Sequence, residues 1–98
     1  MSVTDTNPTR IRVVIVGYVQ GVGFRYAAQR QAQSLGLHGW IRNIPNGSVE
    51  AVVEGNSEAV RSFESWAQSG PSQASVESVE TYPETPRGET GFRILPSF

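Results

Sequence analysis

Two stretches of helical spacing divide this chain, each set between runs of β-branched and apolar residues, and that order leaves few folds open. The first run, Arg10-Ile-Arg-Val-Val-Ile-Val-Gly17, puts Ile11, Val13 and Ile15 on one side and Arg12, Val14 and Val16 on the other, as a strand against a core does. Phe24, Ala27, Ala28, Gln31, Ala32 and Leu35 then recur at helical spacing until Gly36, a residue suited to the left-handed position after a helix. Residues 37–43 and 48–54 read as strands, and the intervening Ile44-Pro-Asn-Gly47 is a turn sequence that makes them antiparallel neighbours. Asn46-Gly-Ser48 matches a glycosylation sequon but is more simply part of this turn. Asn56 is placed to cap a second helix in which Val60, Phe63 and Ala67 share a face and Glu58 sits in the first turn; Gly70-Pro71 stops it. Residues 74–82 form a weaker strand, where Val76 and Val79, three apart, mark a bulge; residues 83–88 read as loop, and residues 92–95 as a short last strand.

With right-handed crossovers, the order β-α-β-β-α-β plus a short extra terminal strand places both helices on one face of an antiparallel sheet, an α+β ferredoxin-like sandwich. Residues 1–9 are expected to be a flexible or disordered N-terminal tail and residues 10–98 a single domain, since 98 residues with 38% hydrophobic and 17% charged content suffice for one small core. Val14, Val16 and Val52 would lie on the uncovered sheet face, an apolar patch that points to a partner or to self-association.

What the chain lacks narrows its chemistry. There is no Cys, and all eight basic residues are Arg; the only His is His38 and the only Asp is Asp5 in the tail. Thiolate nucleophiles, Schiff-base lysines, the Walker lysine, zinc clusters and an aspartyl-phosphate intermediate are therefore set aside. A net charge of −1 argues against nucleic-acid binding by neutralisation of many phosphates. The polar opening and the absence of any long apolar run predict a cytoplasmic protein with no membrane contact. His38 is expected to be a partly exposed structural histidine, Arg42 a solvated charge on the face opposite Asn43, and Trp40 and Trp66 packing residues; none of Glu50, Glu54, Glu64 and Glu77 is assigned a role.

The segment Gly17-Tyr-Val-Gln-Gly-Val-Gly-Phe-Arg25 joins the first strand to the first helix, where backbone N–H groups converge at the positive end of a helix dipole. Glycines at 21 and 23 permit a tight curl, and the planar fork of Arg25 suits two phosphate oxygens. Tyr26 stands where a dinucleotide fingerprint needs its third glycine. On composition alone, a tight turn followed by a surface arginine explains the segment better than a phosphate cradle does.

Ile15-x-Gly17-x-Val19-Gln20-Gly21-Val22-x-Phe24-Arg25 closely resembles the first signature of the acylphosphatase family, and Gly39-Trp40-Ile41-Arg42-Asn43, followed by Gly47-x-Val49 and Gly55, resembles the second. Ile41 departs mildly from the smaller aliphatic residue usual there. The resemblance implies hydrolysis of acyl phosphates to a carboxylate and inorganic phosphate. It makes Arg25 the phosphate-binding arginine and Asn43 the residue that positions the attacking water, with the amides of Gln20, Gly21, Val22, Gly23, Phe24 and Arg25 around the phosphoryl oxygens. It implies a small-molecule substrate, phosphate as product and competitive inhibitor, a monomer, and neither metal nor cofactor. Two other readings use the same fold: a carbamoyl-phosphate-handling module at the front of larger hydrogenase-maturation proteins, which the chain's length disfavours, and a single-stranded RNA binder, which its acidity and its open-face valines disfavour.

Overall fold

In a computed structural model that describes residues 8–97, seven elements follow one another: β1 (Thr9–Tyr18), α1 (Phe24–Ser34), β2 (His38–Asn43), β3 (Val49–Gly55), α2 (Ser57–Ala67), β4 (Ser75–Glu84) and β5 (Phe92–Ile94). The sheet order is β4-β1-β3-β2-β5. β1 pairs antiparallel with both β3 and β4, and β2 antiparallel with β3, so each β-α-β half crosses over one intervening strand. This is the expected ferredoxin-like sandwich, with one refinement. β5 runs parallel to β2, Gly39 opposite Phe92 and Ile41 opposite Ile94, so the sheet is mixed. Thr9, assigned to the tail from sequence, already pairs with Gly55 in β1; the tail's residues 1–7 lie outside the described residues.

Both helices cover one sheet face. Ile15, Val13, Ile41, Val49, Ala51 and Val53 meet Phe24, Ala28 and Ala32 of α1 and Val60, Phe63 and Ala67 of α2 in a single core. Trp66 packs its ring at 5.3 Å from Phe24 and 5.8 Å from Phe63, the packing role read for it. The α2 cap is as expected: Asn56 Oδ1 accepts from Glu58 N at 2.9 Å. The bulge is also present, because Val16 pairs with Ser78 and Gly17 with Val76, leaving Glu77 as the extra residue. Pro83 and Glu84, read as loop, belong to β4. That strand is an edge, where a proline without an N–H is tolerated.

The uncovered face differs from the apolar patch expected. Val52 is only 1% exposed, although it lies outside the helix-side core. Its cross-strand neighbours are Arg12 and Trp40, long side chains able to lie over it. Arg12 and Arg42 both pair with Glu50, at 3.2 and 2.8 Å, while Arg12 stacks on Tyr82 and Arg42 on Trp40. Val14 and Val16 are half-buried. Arg42 is therefore an ion-paired and stacked residue of this face rather than a solvated charge.

The end of the sheet where β1 begins is locked by a buried ion cluster. Arg10, 3% exposed, donates to Glu84 at 2.8 Å and to Glu54 and Glu89 at 3.0 Å. Glu54 also accepts the backbone N–H groups of Arg87, Gly88 and Glu89, at 3.0, 2.7 and 3.3 Å, which fixes the β4–β5 connection. Beside it, the exposed His38 accepts from Gly91 N at Nδ1, 2.8 Å, a structural contact. Among the described residues no helix is long and apolar enough to cross a membrane.

Candidate active site

The other end of the sheet, where β1 and β2 finish, gathers the residues the sequence singled out. Register explains how. Ile15, Val49 and Asn43 stand in one row across β1, β3 and β2, so the loop that leaves β1 after Tyr18 departs beside the β2–β3 hairpin. Alternation along β2 puts Asn43 on the side of the buried Ile41, under the helices, and Arg42 on the other.

Gly17 sits at the bulge near the end of β1, opposite Val76, and its φ of +139° is not the only reason a glycine stands there. A Cβ would fall on the Ser75 carbonyl oxygen and against Glu77 N of the bulged β4. Gly21 and Gly23 take left-handed conformations, with φ of +76° and +77°, and a Cβ built on either meets nothing within 4 Å. The loop is thus curled and open above. Gly23 occupies the N-cap of α1 with no side-chain cap, and no acidic residue stands in the first turn. The first amides of the helix have no carbonyl behind them, and the dipole's positive end is uncompensated. Among the described residues no hydrogen bond engages the N–H groups of Gly21, Val22 or Gly23.

Arg25 follows in that turn, half-buried, and among the described residues its guanidinium has no ion-pair or hydrogen-bond partner. That sets it apart from Arg10, Arg12 and Arg42, all held by glutamates. Phe24 beside it is buried and anchors the helix start in the core. Asn43 carries the converse feature: its Oδ1 is buried and accepts no hydrogen bond among the described residues. Such an atom costs about 1–3 kcal/mol where it stands.

Gln20 is the part of the site whose role the sequence did not make legible. Its side-chain amide donates to the carbonyls of Ile44 at 2.9 Å and Ser48 at 2.8 Å, binding the loop to the hairpin. Only its backbone is left to face an anion. The hairpin closes on itself as well: Ser48 N donates to Asn46 Oδ1 at 2.9 Å, which gives the sequon-like stretch its place as a turn. A cavity of about 480 Å³ lined by Arg87, Gly88, Glu89, Thr90 and Arg93 lies at the far end of the sheet and shares no residue with this site. Among the described residues no group of three or more His, Cys, Asp or Glu side chains is placed to hold a metal ion.

Fold and site together define a class: a small α+β domain that presents, at one end of its sheet, a helix start, a glycine loop, an arginine and a carboxamide oxygen, none of them with a side-chain partner among the described residues. The acylphosphatase family model matches residues 11–94, and the chain belongs to that family, whose members are hydrolases acting on acid anhydrides. Relatives agree along nearly their whole length. The chain is 49% identical over 86 residues to an acylphosphatase of Thermococcus kodakarensis, covering 88% of this chain and 94% of that protein, and 51% identical over 88 residues to one of Moorella thermoacetica, covering 90% and 95%. Among solved structures, an acylphosphatase from Coxiella burnetii superposes with a TM-score of 0.89 at 34% identity, covering 97% of this chain and all of that one. Full-length HypF in its phosphate- and nucleotide-bound form aligns with a TM-score of 0.86 at 26% identity, but over only 12% of its own chain.

Proposed function

We infer that this chain, as a member of the family, hydrolyses an acyl phosphate, a small-molecule substrate. We propose that this chain performs it by direct attack of water on a phosphoryl group held between Arg25 and the backbone N–H groups of Gln20, Gly21, Val22, Gly23, Phe24 and Arg25, with Asn43 orienting the water. The observation that carries this reading is the buried Oδ1 of Asn43, without a partner among the described residues, at the sheet end to which Gln20 ties the loop. A water O–H aimed at that oxygen satisfies it, and the same contact holds the water's lone pair toward the phosphorus.

Little further machinery is needed, for a chemical reason. The bond broken joins phosphorus to a carboxylate oxygen, and a carboxylate leaves without being protonated, so a general acid adds little. In a loose phosphoryl-transfer transition state, charge spreads over the three equatorial oxygens, where fixed amides, a helix start and a guanidinium stabilise it. The water's proton passes to a phosphoryl oxygen, and the products are the carboxylate and inorganic phosphate. Phosphate then competes for the cradle it has just left. In this reading the protein works as a monomer, and the positive field of the loop does the work that a metal or cofactor does in other phosphoryl-transfer enzymes.

The test is hydrolysis of an aryl acyl phosphate, with an alkyl phosphate monoester as control and a chelator in excess. The mixed anhydride is expected to turn over, and the monoester, whose alkoxide is a poor leaving group, is not. Activity lost to the chelator and restored by a divalent metal, or equal turnover of the monoester, overturns the reading.

A further inference from the structure

We propose that the Gln20 side chain is a positioning residue that sets the register between the phosphoryl-holding loop and Asn43; this rests on the roles proposed above for the loop and for Asn43. Gln20 lies on the loop leaving β1, and its two acceptors, Ile44 and Ser48, close the β2–β3 turn. Those acceptors are themselves paired: Ile44 N donates to Ser48 O at 3.0 Å and Gly47 N to Ile44 O at 3.1 Å. Gln20 Nε2 thus fills the remaining acceptor capacity of the two carbonyls that define the turn, spending both of its hydrogens on the hairpin.

Asn43 is covalently adjacent to Ile44. A shift of the hairpin relative to the loop therefore moves the Asn43 carboxamide relative to whatever the loop holds. Ser48 is buried, 3% exposed, and the turn is further fixed by the contact between Asn46 and Ser48 N, so the hairpin moves as a unit. The loop is held to the core by Val19, 1% exposed, and by the partly buried Val22, while Cβ atoms at Gly21 and Gly23 would meet open space. The two hydrogen bonds of Gln20 then tie the loop directly to the hairpin, and so to each other two groups that must lie within a fraction of an ångström of their working geometry.

The proposal separates Gln20 from a residue that merely stabilises the fold. Gln20→Met keeps length and volume while removing both donors. Inorganic phosphate, held by the loop amides and Arg25, should bind this variant within about threefold of the unsubstituted protein, while kcat for the acyl phosphate falls by about tenfold to a hundredfold. Because the effect passes through Asn43, Gln20→Met should add almost nothing to the loss of kcat in an Asn43→Ala background. A readout independent of turnover is amide hydrogen exchange. Phosphate binding should slow exchange at Ile44 and Gly47 in the unsubstituted protein and leave it unchanged in Gln20→Met. Multiplicative losses of kcat in the double variant, loss of phosphate binding in Gln20→Met, or turn protection that survives the substitution would each overturn the proposal. If the unsubstituted protein did not hydrolyse acyl phosphates, the functional reading would fall and the exchange comparison would still decide whether Gln20 couples loop to hairpin.

Discussion

Single residues in this protein divide into those whose chemistry is spent inside the fold and those whose chemistry is left over. Arg10 and Glu54 belong to the first group. Burial pushes the Glu54 carboxyl up, but the N–H of Arg87, the Arg10 guanidinium and the N–H groups of Gly88 and Glu89 outweigh it and hold the group below its ordinary value of 4.5. A carboxyl whose folded-state value is depressed contributes stability above the unfolded value and loses it as pH falls through the folded one. Thermal unfolding should therefore show a stability that declines as pH drops below 4.5, and Glu54→Gln should flatten that decline while lowering stability at neutral pH by about 3 kcal/mol, the low end for a broken buried pair because Glu84 and Glu89 still hold Arg10. An acid limb of equal steepness in the variant contradicts this. Arg25 and Asn43 belong to the second group; the sequence marks both because they stand in short motifs, and their roles are those proposed above. The roles of Glu54 and the Gln20 side chain were not legible there, since Gln20's partners are 24 and 28 residues away and only the folded register brings them together.

At the level of elements, periodicity carried most of the information. Both helices and the first three strands lie where apolar spacing and turn residues put them, because each is amphipathic against one core. Apart from Thr9, read as tail but paired in β1, the misread elements lie in the last quarter of the chain. β4 is an exposed edge with little apolar alternation to read, so Pro83 looked like loop, and the direction of β5 depends on the path of a connection pinned by Glu54 rather than on any local pattern. The valines of the open face were assigned to the correct side, but alternation gives no account of the Arg12, Arg42 and Trp40 side chains around them. The β1–β4 bulge yields a sharper prediction. Gly17→Ala must push a Cβ into β4 backbone, whereas Gly21→Ala meets no neighbour and carries only the strain of its left-handed φ. Chemical denaturation should find Gly17→Ala destabilised by about 1–3 kcal/mol from overpacking in addition to such strain, and clearly more than Gly21→Ala. Equal losses would mean that β4 yields at the bulge.

For the whole molecule, the sheet works as a spacer with a different task at each end. The end where β1 begins is saturated, its carboxylates answering a buried guanidinium and the amides of the β4–β5 connection, while the other end keeps a cation, a helix start and a carboxamide oxygen without partners among the described residues. Leaving those groups unsatisfied costs stability that burial elsewhere in the core offsets, and in the function proposed above a bound phosphoryl group with its water answers all of them together. The account stands on a division of labour at that end, and inorganic-phosphate calorimetry beside steady-state kinetics measures it directly. Arg25→Ala should weaken phosphate binding and lower turnover together, and Arg25→Lys should not restore either, because an ammonium lacks the planar fork. Asn43→Ala should bind phosphate nearly as well as the unsubstituted protein while turnover falls by about 10² or more, on the order of 3 kcal/mol. An Asn43→Ala protein that lost phosphate binding as severely as Arg25→Ala, or that kept near-normal turnover, would contradict the account at its centre.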